Sequence, residues 1–267
     1  AMQKSGFRIV LLVVFTCLLS APAFAKWGPT GHRIVAEIAD SYLNKKARKA
    51  IAEILGDESL AMSANWADFI KSDSTFNYLN SWHYINMPAG LSKEDFAARL
   101  ALDSATDAYT KLNFLVSELK KNDLPLERKK MYLRLLIHIA GDIHQPMHVS
   151  RAEDQGGNKI KLTWFSEAAN LHNLWDDKLV EFQKLSYTEY ATAINHVSKT
   201  QRKAWAAESI SDWCYESYSL SAQLYSELTT PEPKLSFRYN FDHVDLLNRQ
   251  LLKGGVHLAA LLNEIFG

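Results

Sequence analysis

The chain has 267 residues, of which 47% are hydrophobic, and no long polar or low-complexity tract, enough apolar material for one sizeable core. Its 30 basic and 30 acidic residues cancel, which excludes a protein that grips a nucleic-acid backbone mainly through lysine and arginine. Any phosphate chemistry here must draw its positive charge from elsewhere, and bound metal ions are the obvious source.

The N-terminus reads as a targeting segment. Lys4 and Arg8 give a positive start, residues 9–19 form a short apolar run, and Ala23 and Ala25 place small residues where a signal peptidase reads. That plan predicts a secretory signal over residues 1–25, with an apolar run too short to span a bilayer. The expectation is an exported protein, periplasmic or secreted, with one mature domain over residues 26–267 and no membrane segment. The mature chain keeps 28 basic against 30 acidic residues, a formal charge of −2. Cys17 falls in the signal, leaving Cys214 alone beside Trp213, a small buried hydrophobe rather than half of a disulfide. No Asn-x-Ser/Thr acceptor occurs, and both absences fit a bacterial exported enzyme.

Glycine and proline are scarce, so a mainly helical domain is expected. Ile34, Val35, Ile38, Ala39 and Tyr42 recur at helical spacing over residues 30–55. A shorter helix is predicted over 61–71, and an irregular or extended stretch over 76–91. Tyr109, Leu112, Val116 and Leu119 mark a helix ending near Asn122 and Pro125, and residues 127–143 form an apolar helix stopped by Gln145-Pro146. Ile160, Leu162 and Trp164 alternate after Gly156-Gly157-Asn158, which predicts a small β-hairpin. Helices resume over 171–182, 187–198, 202–228 and 242–266, the last with a stripe of Val244, Leu247, Leu251, Leu258, Leu261 and Ile265.

Chemistry concentrates in two helical segments. His138 and Asp142 are four apart on an apolar helix, so both project from one face. An imidazole and a carboxylate so placed are ready zinc ligands, and their burial is expensive unless something compensates for it. Pro146 then breaks the helix and returns His148 to the neighbourhood. His172 and Asp176 repeat the spacing. An intrahelical hydrogen bond explains either pair alone equally well; two pairs with His148 between them favour metal. Weaker candidates are His32, which opens a helix after Trp27-Gly28-Pro29-Thr30-Gly31, Asp68 with Lys71 one turn on, and His83 between Trp82 and Tyr84.

The set Trp27-Gly-x-x-Gly-His32, Trp66-Ala-Asp68, Trp82-His83, His138-x-x-Gly-Asp142-x-x-Gln-Pro-x-His148, Gly156-Gly157-Asn158 and Asn170-Leu-His172-x-x-Trp-Asp176 closely resembles one family. It is the zinc-dependent single-strand-specific nuclease and 3′-nucleotidase family (nuclease S1/P1 type), here as a bacterial-like member. The likeness runs from Trp27 to the C-terminus in the family's order and includes Trp205-Ala206-Ala207-Glu208-Ser209 and Lys253-Gly254-Gly255-Val256-His257-Leu258-Ala259.

This resemblance implies a single helical domain with a small hairpin, the phospholipase C/nuclease-type trinuclear fold, holding three zinc ions. Asp68, His83, His138 and Asp142 would bind one. His148, His172 and Asp176 would bind a second. Asp142 would bridge to a third, completed by His32 and by the amino nitrogen and carbonyl oxygen of Trp27. The implied reaction is hydrolysis of single-stranded DNA and RNA to 5′-phosphates, with 3′-nucleotides as further substrates and no stable protein partner. Metals lower the pKa of bound water, Asp68 orients the nucleophile, and Lys71 stabilises transition-state charge. Tyr84 would stack on an unpaired base, and Asn86 and Asn158 would hydrogen-bond its edge. His144 is expected beside the ligands or in packing, and His196, His243 and His257 in structural roles. Cleavage after Ala25 leaves Lys26 ahead of Trp27, whereas the family's tryptophan is the first mature residue; trimming to Trp27 would restore its amine as a ligand. The alternatives are a zinc-dependent phospholipase C, similar in fold and site, and a non-catalytic zinc-binding protein.

Overall fold

Apolar stripes on consecutive helices find each other around one continuous core, and that core sets where the polar cluster lies. The computed structural model describes residues 28–102 and 106–267; the expected signal, Lys26 and Trp27 lie outside the described residues. In chain order the helices are α1 (Pro29–Ser41), α2 (Lys45–Leu55), α3 (Leu60–Ser63), α4 (Trp66–Phe69), α5 (Lys93–Leu102), α6 (Ala108–Leu119), α7 (Leu126–Ile143), α8 (Leu171–Asn173), α9 (Leu179–Phe182), α10 (Tyr187–Ile194), α11 (Lys199–Ala206), α12 (Ile210–Ser226) and α13 (Phe237–Phe266). Short 3-10 turns cover Ile70–Ser72, Ser74–His83 and Pro146–His148, and a π turn, Leu174–Lys178, joins α8 to α9.

The last part of α7 is buried all round, from Leu135 to Ile143. A helix apolar on every side belongs in the middle of a domain, and its buried Leu135, Leu136, Ile137 and Ile139 each contribute roughly 1.5–3 kcal/mol of burial free energy before chain entropy is counted. α1 buries Ile34, Val35, Ile38 and Ala39 and lies against α13. The two approach closely at Gly255, where a Cβ would fall 2.4 Å from Cγ2 of Ile38. No residue but glycine fits that crossing without displacing α1.

The expected hairpin is present: β3 (Lys161–Trp164) pairs antiparallel with β4 (Glu167–Asn170), Leu162 facing Ala169. β5 (Lys234–Leu235) adds to β3 in parallel. A second, two-residue ladder was not foreseen. It pairs β1 (Ile85–Asn86) in parallel with β2 (Val149–Ser150), and Met87 N extends it to Ser150 O at 2.9 Å. It joins the residues just after His83 to those just after His148.

Several predicted boundaries need correction, each for a local reason. The 30–55 helix is two, because Asn44 caps α2 by accepting from Ala47 N at 2.8 Å. The 202–228 helix also breaks, where Ser209 and Asp212 form a capping box at the start of α12. The 187–198 helix stops at Ile194, and Ser198 caps a new one, α11. Of residues 76–91 the first half is 3-10 helix, opened by Asp73, which accepts from Thr75 N at 3.0 Å, while the part after His83 is extended or irregular as expected. α13 begins earlier than its apolar stripe, at Phe237, and α5 was not predicted. Cys214 is buried and free, and burial raises its thiol well above the ordinary range. Among the described residues no helix is long and apolar enough to cross a membrane.

Gly255→Ala should destabilise the fold by about 1–3 kcal/mol in urea unfolding. In an Ile38→Ala background the same change should cost less; equal losses in both backgrounds would show that the α1–α13 approach does not limit packing.

Candidate metal centre

Three groups of His and Asp donors converge where α1, α4, α7 and the β1–β2 ladder meet. They are Asp68, His83 and His138; His32, His138 and Asp142; and His148, His172 and Asp176, the donor atoms of each group lying within 4.8 Å of one another. Every histidine and aspartate that the sequence marked as a ligand is in this set; Trp27 lies outside the described residues.

Asp142 sits at the junction. Its Oδ2 is 2.8 Å from His83 Nδ1 and 3.2 Å from His138 Nε2, and its Oδ1 is 3.4 Å from His32 Nε2 and 3.2 Å from His148 Nδ1. The carboxylate is fully buried. Burial alone would raise its pKa, but the rings of His138 and His148 overcome that and hold it well below the usual carboxylate range. For His148, burial acts downward and Asp142 outweighs it, carrying the ring up to about 10. His32 moves the other way, lowered by burial and then by the neighbouring His138.

Backbone contacts aim the rings. Nδ1 of His138 lies 2.6 Å from Ala64 O, Nδ1 of His148 2.8 Å from His83 O, and Nδ1 of His172 2.6 Å from Gly156 O. A carbonyl only accepts, so each of these histidines carries a proton on Nδ1, and Nε2 is the nitrogen it turns into the cluster. Those Nε2 atoms lie near carboxylates: His148 Nε2 is 3.3 Å from Asp176 Oδ1, and His172 Nε2 is 3.2 Å from Asp176 Oδ2. Asp176 lies in the π turn, a distortion that often marks functional positions on helices.

Glycines clear the space. A Cβ on Gly141 would meet His32 Nδ1 at 2.8 Å, so glycine one residue before Asp142 lets His32 stack on His138 with ring centres 3.8 Å apart. Gly156 adopts φ 61°, and a Cβ there would strike Met147 O at 2.5 Å; its conformation brings the carbonyl to His172.

The remaining candidates divide. Lys71 Nζ lies 3.6 Å from Asp68 Oδ1. Tyr84 and Asn86 are exposed while Ile85 between them is buried, so both face outward from the same side of the strand, next to His83. Asn158 serves its turn: its amide donates to Gln155 O at 2.8 Å. His144 and His243 have protein partners on both ring nitrogens, His257 packs against His144, and His196 is exposed. Sequence reasoning missed Gln145, a fully buried amide whose Nε2 donates to Asp176 Oδ1 and whose Oε1 accepts from Met147 N at 2.5 Å. It also missed the anchoring of the N-terminal segment: Gly28 N donates to Asp176 O at 2.7 Å, and Asn65 Nδ2 to Pro29 O at 3.3 Å. A polar amide between the buried helix and Pro146 was the available signal for Gln145.

The donor set fits a metal. Both ring nitrogens of His32, Asp142 Oδ1, His148 Nε2 and Asp176 Oδ2 are buried yet make no hydrogen bond of proper geometry with another described residue. Buried polar atoms are normally paired, and mixed imidazole nitrogen and carboxylate oxygen is the chemistry of a zinc-like ion.

A model of the S1/P1 nuclease family matches residues 27–267. Among similar proteins, Endonuclease 2 of Arabidopsis thaliana is 28% identical over 99% of this chain and 99% of its own. Nuclease P1 of Penicillium citrinum is 29% identical over 90% of this chain and 98% of its own. Nuclease S1 of Aspergillus oryzae is 33% identical over 58% of this chain and 55% of its own.

Replacing Gln145 by Ala should weaken binding of a divalent transition metal about 10- to 100-fold in competition with a chromophoric chelator. Unchanged affinity would mean that Asp176 keeps its orientation without the amide.

Proposed function

The chain belongs to the S1/P1 nuclease family, and from that footing we propose that it is a zinc-dependent endonuclease. It hydrolyses phosphodiester bonds of single-stranded DNA and RNA to 5′-phosphate products and acts on 3′-nucleotides. The observation that carries this reading is the convergence of the three donor groups on one buried carboxylate, Asp142, with ligand atoms that make no hydrogen bond to another described residue. The rival expectation of a phospholipase C loses support, because the matching family and the similar proteins are nucleases.

Asp68, His83, His138 and Asp142 would hold one zinc, and His148, His172 and Asp176 a second. Asp142 and His32 would hold a third, together with Trp27 where it is the mature N-terminus. Bound there, the ions would lower the pKa of water and offset phosphate charge through open positions. The protein side chains supply the rest. Asp68, partly open to solvent at 19%, accepts a hydrogen bond from the attacking water and orients it. Lys71, held beside Asp68, meets the negative charge that grows on the phosphoryl oxygens. Tyr84 offers an exposed ring to an unpaired base, which a duplex cannot present, and Asn86 on the same face reaches the base edge. Asn158 contributes its remaining carbonyl oxygen. The signal-like N-terminus and the formal charge of −2 suit an exported enzyme whose attraction for phosphates resides in its metals.

The test is a comparison of single-stranded with double-stranded DNA as substrate, before and after chelation and again after zinc is returned. Preferential cleavage of the single strand, lost on chelation and restored by zinc, is expected; a full zinc complement with no cleavage of either strand would sink the assignment.

Lys71→Ala should lower kcat about 10²- to 10³-fold while zinc content stays at the wild-type level. A loss confined to KM would place Lys71 in ground-state binding instead.

A further inference from the structure

Two segments that the reaction leaves without a role, around Glu208 and over residues 253–257, meet on the far side of α7. Lys253 lies within α13 and is 5% exposed, with its ammonium 3.0 Å from Glu208 and 2.5 Å from Glu216. Oε2 of Glu208 also lies 3.3 Å from His257 Nε2, a contact without hydrogen-bond geometry. Nδ1 of His257 is 2.6 Å from His144 Nε2, and Nδ1 of His144 is 2.7 Å from Ala140 O. The carbonyl fixes the proton of His144 on Nδ1, so its Nε2 accepts from His257 Nδ1. Trp213 lies flat on His257, ring centres 4.4 Å apart and planes within 8°, which fixes that ring in turn.

The chain of contacts ends on the turn of α7 that carries Asp142. The last carbonyls of a helix lack partners within it, and here neighbouring helices supply them. Ser217 Oγ of α12 donates to Ile143 O at 2.5 Å, and Gln250 Nε2 of α13 to His144 O at 3.1 Å. The two glycines between Lys253 and His257 complete the fit. A Cβ on Gly254 would lie 3.3 Å from both His144 Cγ and Val35 Cγ2, and Gly255 is the close crossing with Ile38. One short stretch of α13 therefore bears on both α7, the source of His138 and Asp142, and α1, the source of His32.

A buried lysine with two carboxylates is a poor way to gain stability, since apolar packing of similar volume does as well or better. Its use lies in directionality, which apolar packing lacks. We propose that Glu208, Lys253 and His257 are positioning residues. Through His144 they fix the terminal turn of α7 against α1, and so hold His138 and Asp142 at the spacing from His32 that a shared metal requires. This role rests on the reading of the cluster as a zinc centre.

The experiment measures zinc affinity of the full chain by chelator competition for wild type, E208Q, K253M and K253R. K93M serves as the control, because Lys93 pairs with Asp212 at 2.7 Å on the same side of the molecule. Glu208 is 31% exposed, so its isosteric replacement tests the network without emptying the core. E208Q and K253M should bind zinc about 10- to 100-fold more weakly, with K253R closer to wild type and K93M unchanged. Affinities in E208Q equal to wild type, whatever its melting temperature, would overturn the positioning role. Zinc uptake by the wild-type chain is the separate check on the metal centre itself.

Discussion

A carboxylate with no access to water stays ionised only when positive charge or hydrogen-bond donors surround it. Asp142 meets that demand by standing among His32, His83, His138 and His148, and much of the architecture can be understood as the means of bringing those four rings together. One comes from α1, one from the end of the 3-10 stretch Ser74–His83, one from its own helix, and one from the turn that Pro146 imposes. Where α1 passes α7, Gly141 removes the side chain that would keep His32 away. Where the chain returns after α7, the β1–β2 ladder ties the segment after His83 to the segment after His148. The hydrophobic core supplies the free energy of folding, and the glycines and the two-residue ladder determine that the same core delivers a converging set of donors.

Charge bookkeeping within the cluster explains why a cation belongs there. Without one, Asp142 remains ionised because the neighbouring histidine rings favour its charge, and His148 in turn is held in its charged form. A protonated imidazole cannot ligate, so metal and protons compete for the same nitrogens. The backbone carbonyls of Ala64, His83 and Gly156 bias that contest by occupying Nδ1 of His138, His148 and His172, leaving Nε2 as the atom over which proton and metal contend.

The fold class and the long elements were legible because they rest on periodicity. α7 and most of α13 declare themselves through apolar spacing, and the β3–β4 hairpin through alternation after Gly156-Gly157. The splits at Asn44 and Ser209 were written in the sequence as caps, but continuous apolar patterns on either side masked them. β1 and β2 could not be seen at all: two residues carry no periodicity, and each strand exists only by virtue of a partner far along the chain. The site divides in the same way. Residue types at helical spacing exposed the His138–Asp142 and His172–Asp176 pairs. Gln145 left only the hint of a polar amide after a buried helix, and Asn65 and the carbonyls that orient the rings act through tertiary neighbours, so their roles appear only once the chain is folded.

The anchoring of Gly28 has a practical side. Its amide is bonded to the carbonyl of Asp176, and a Cβ at this position would lie 2.4 Å from Asp177 Oδ1. Whatever precedes α1 thus departs from a point already fastened to the backbone of a candidate ligand. A purification handle fused directly before Gly28 would be attached beside the candidate metal centre rather than at an indifferent position.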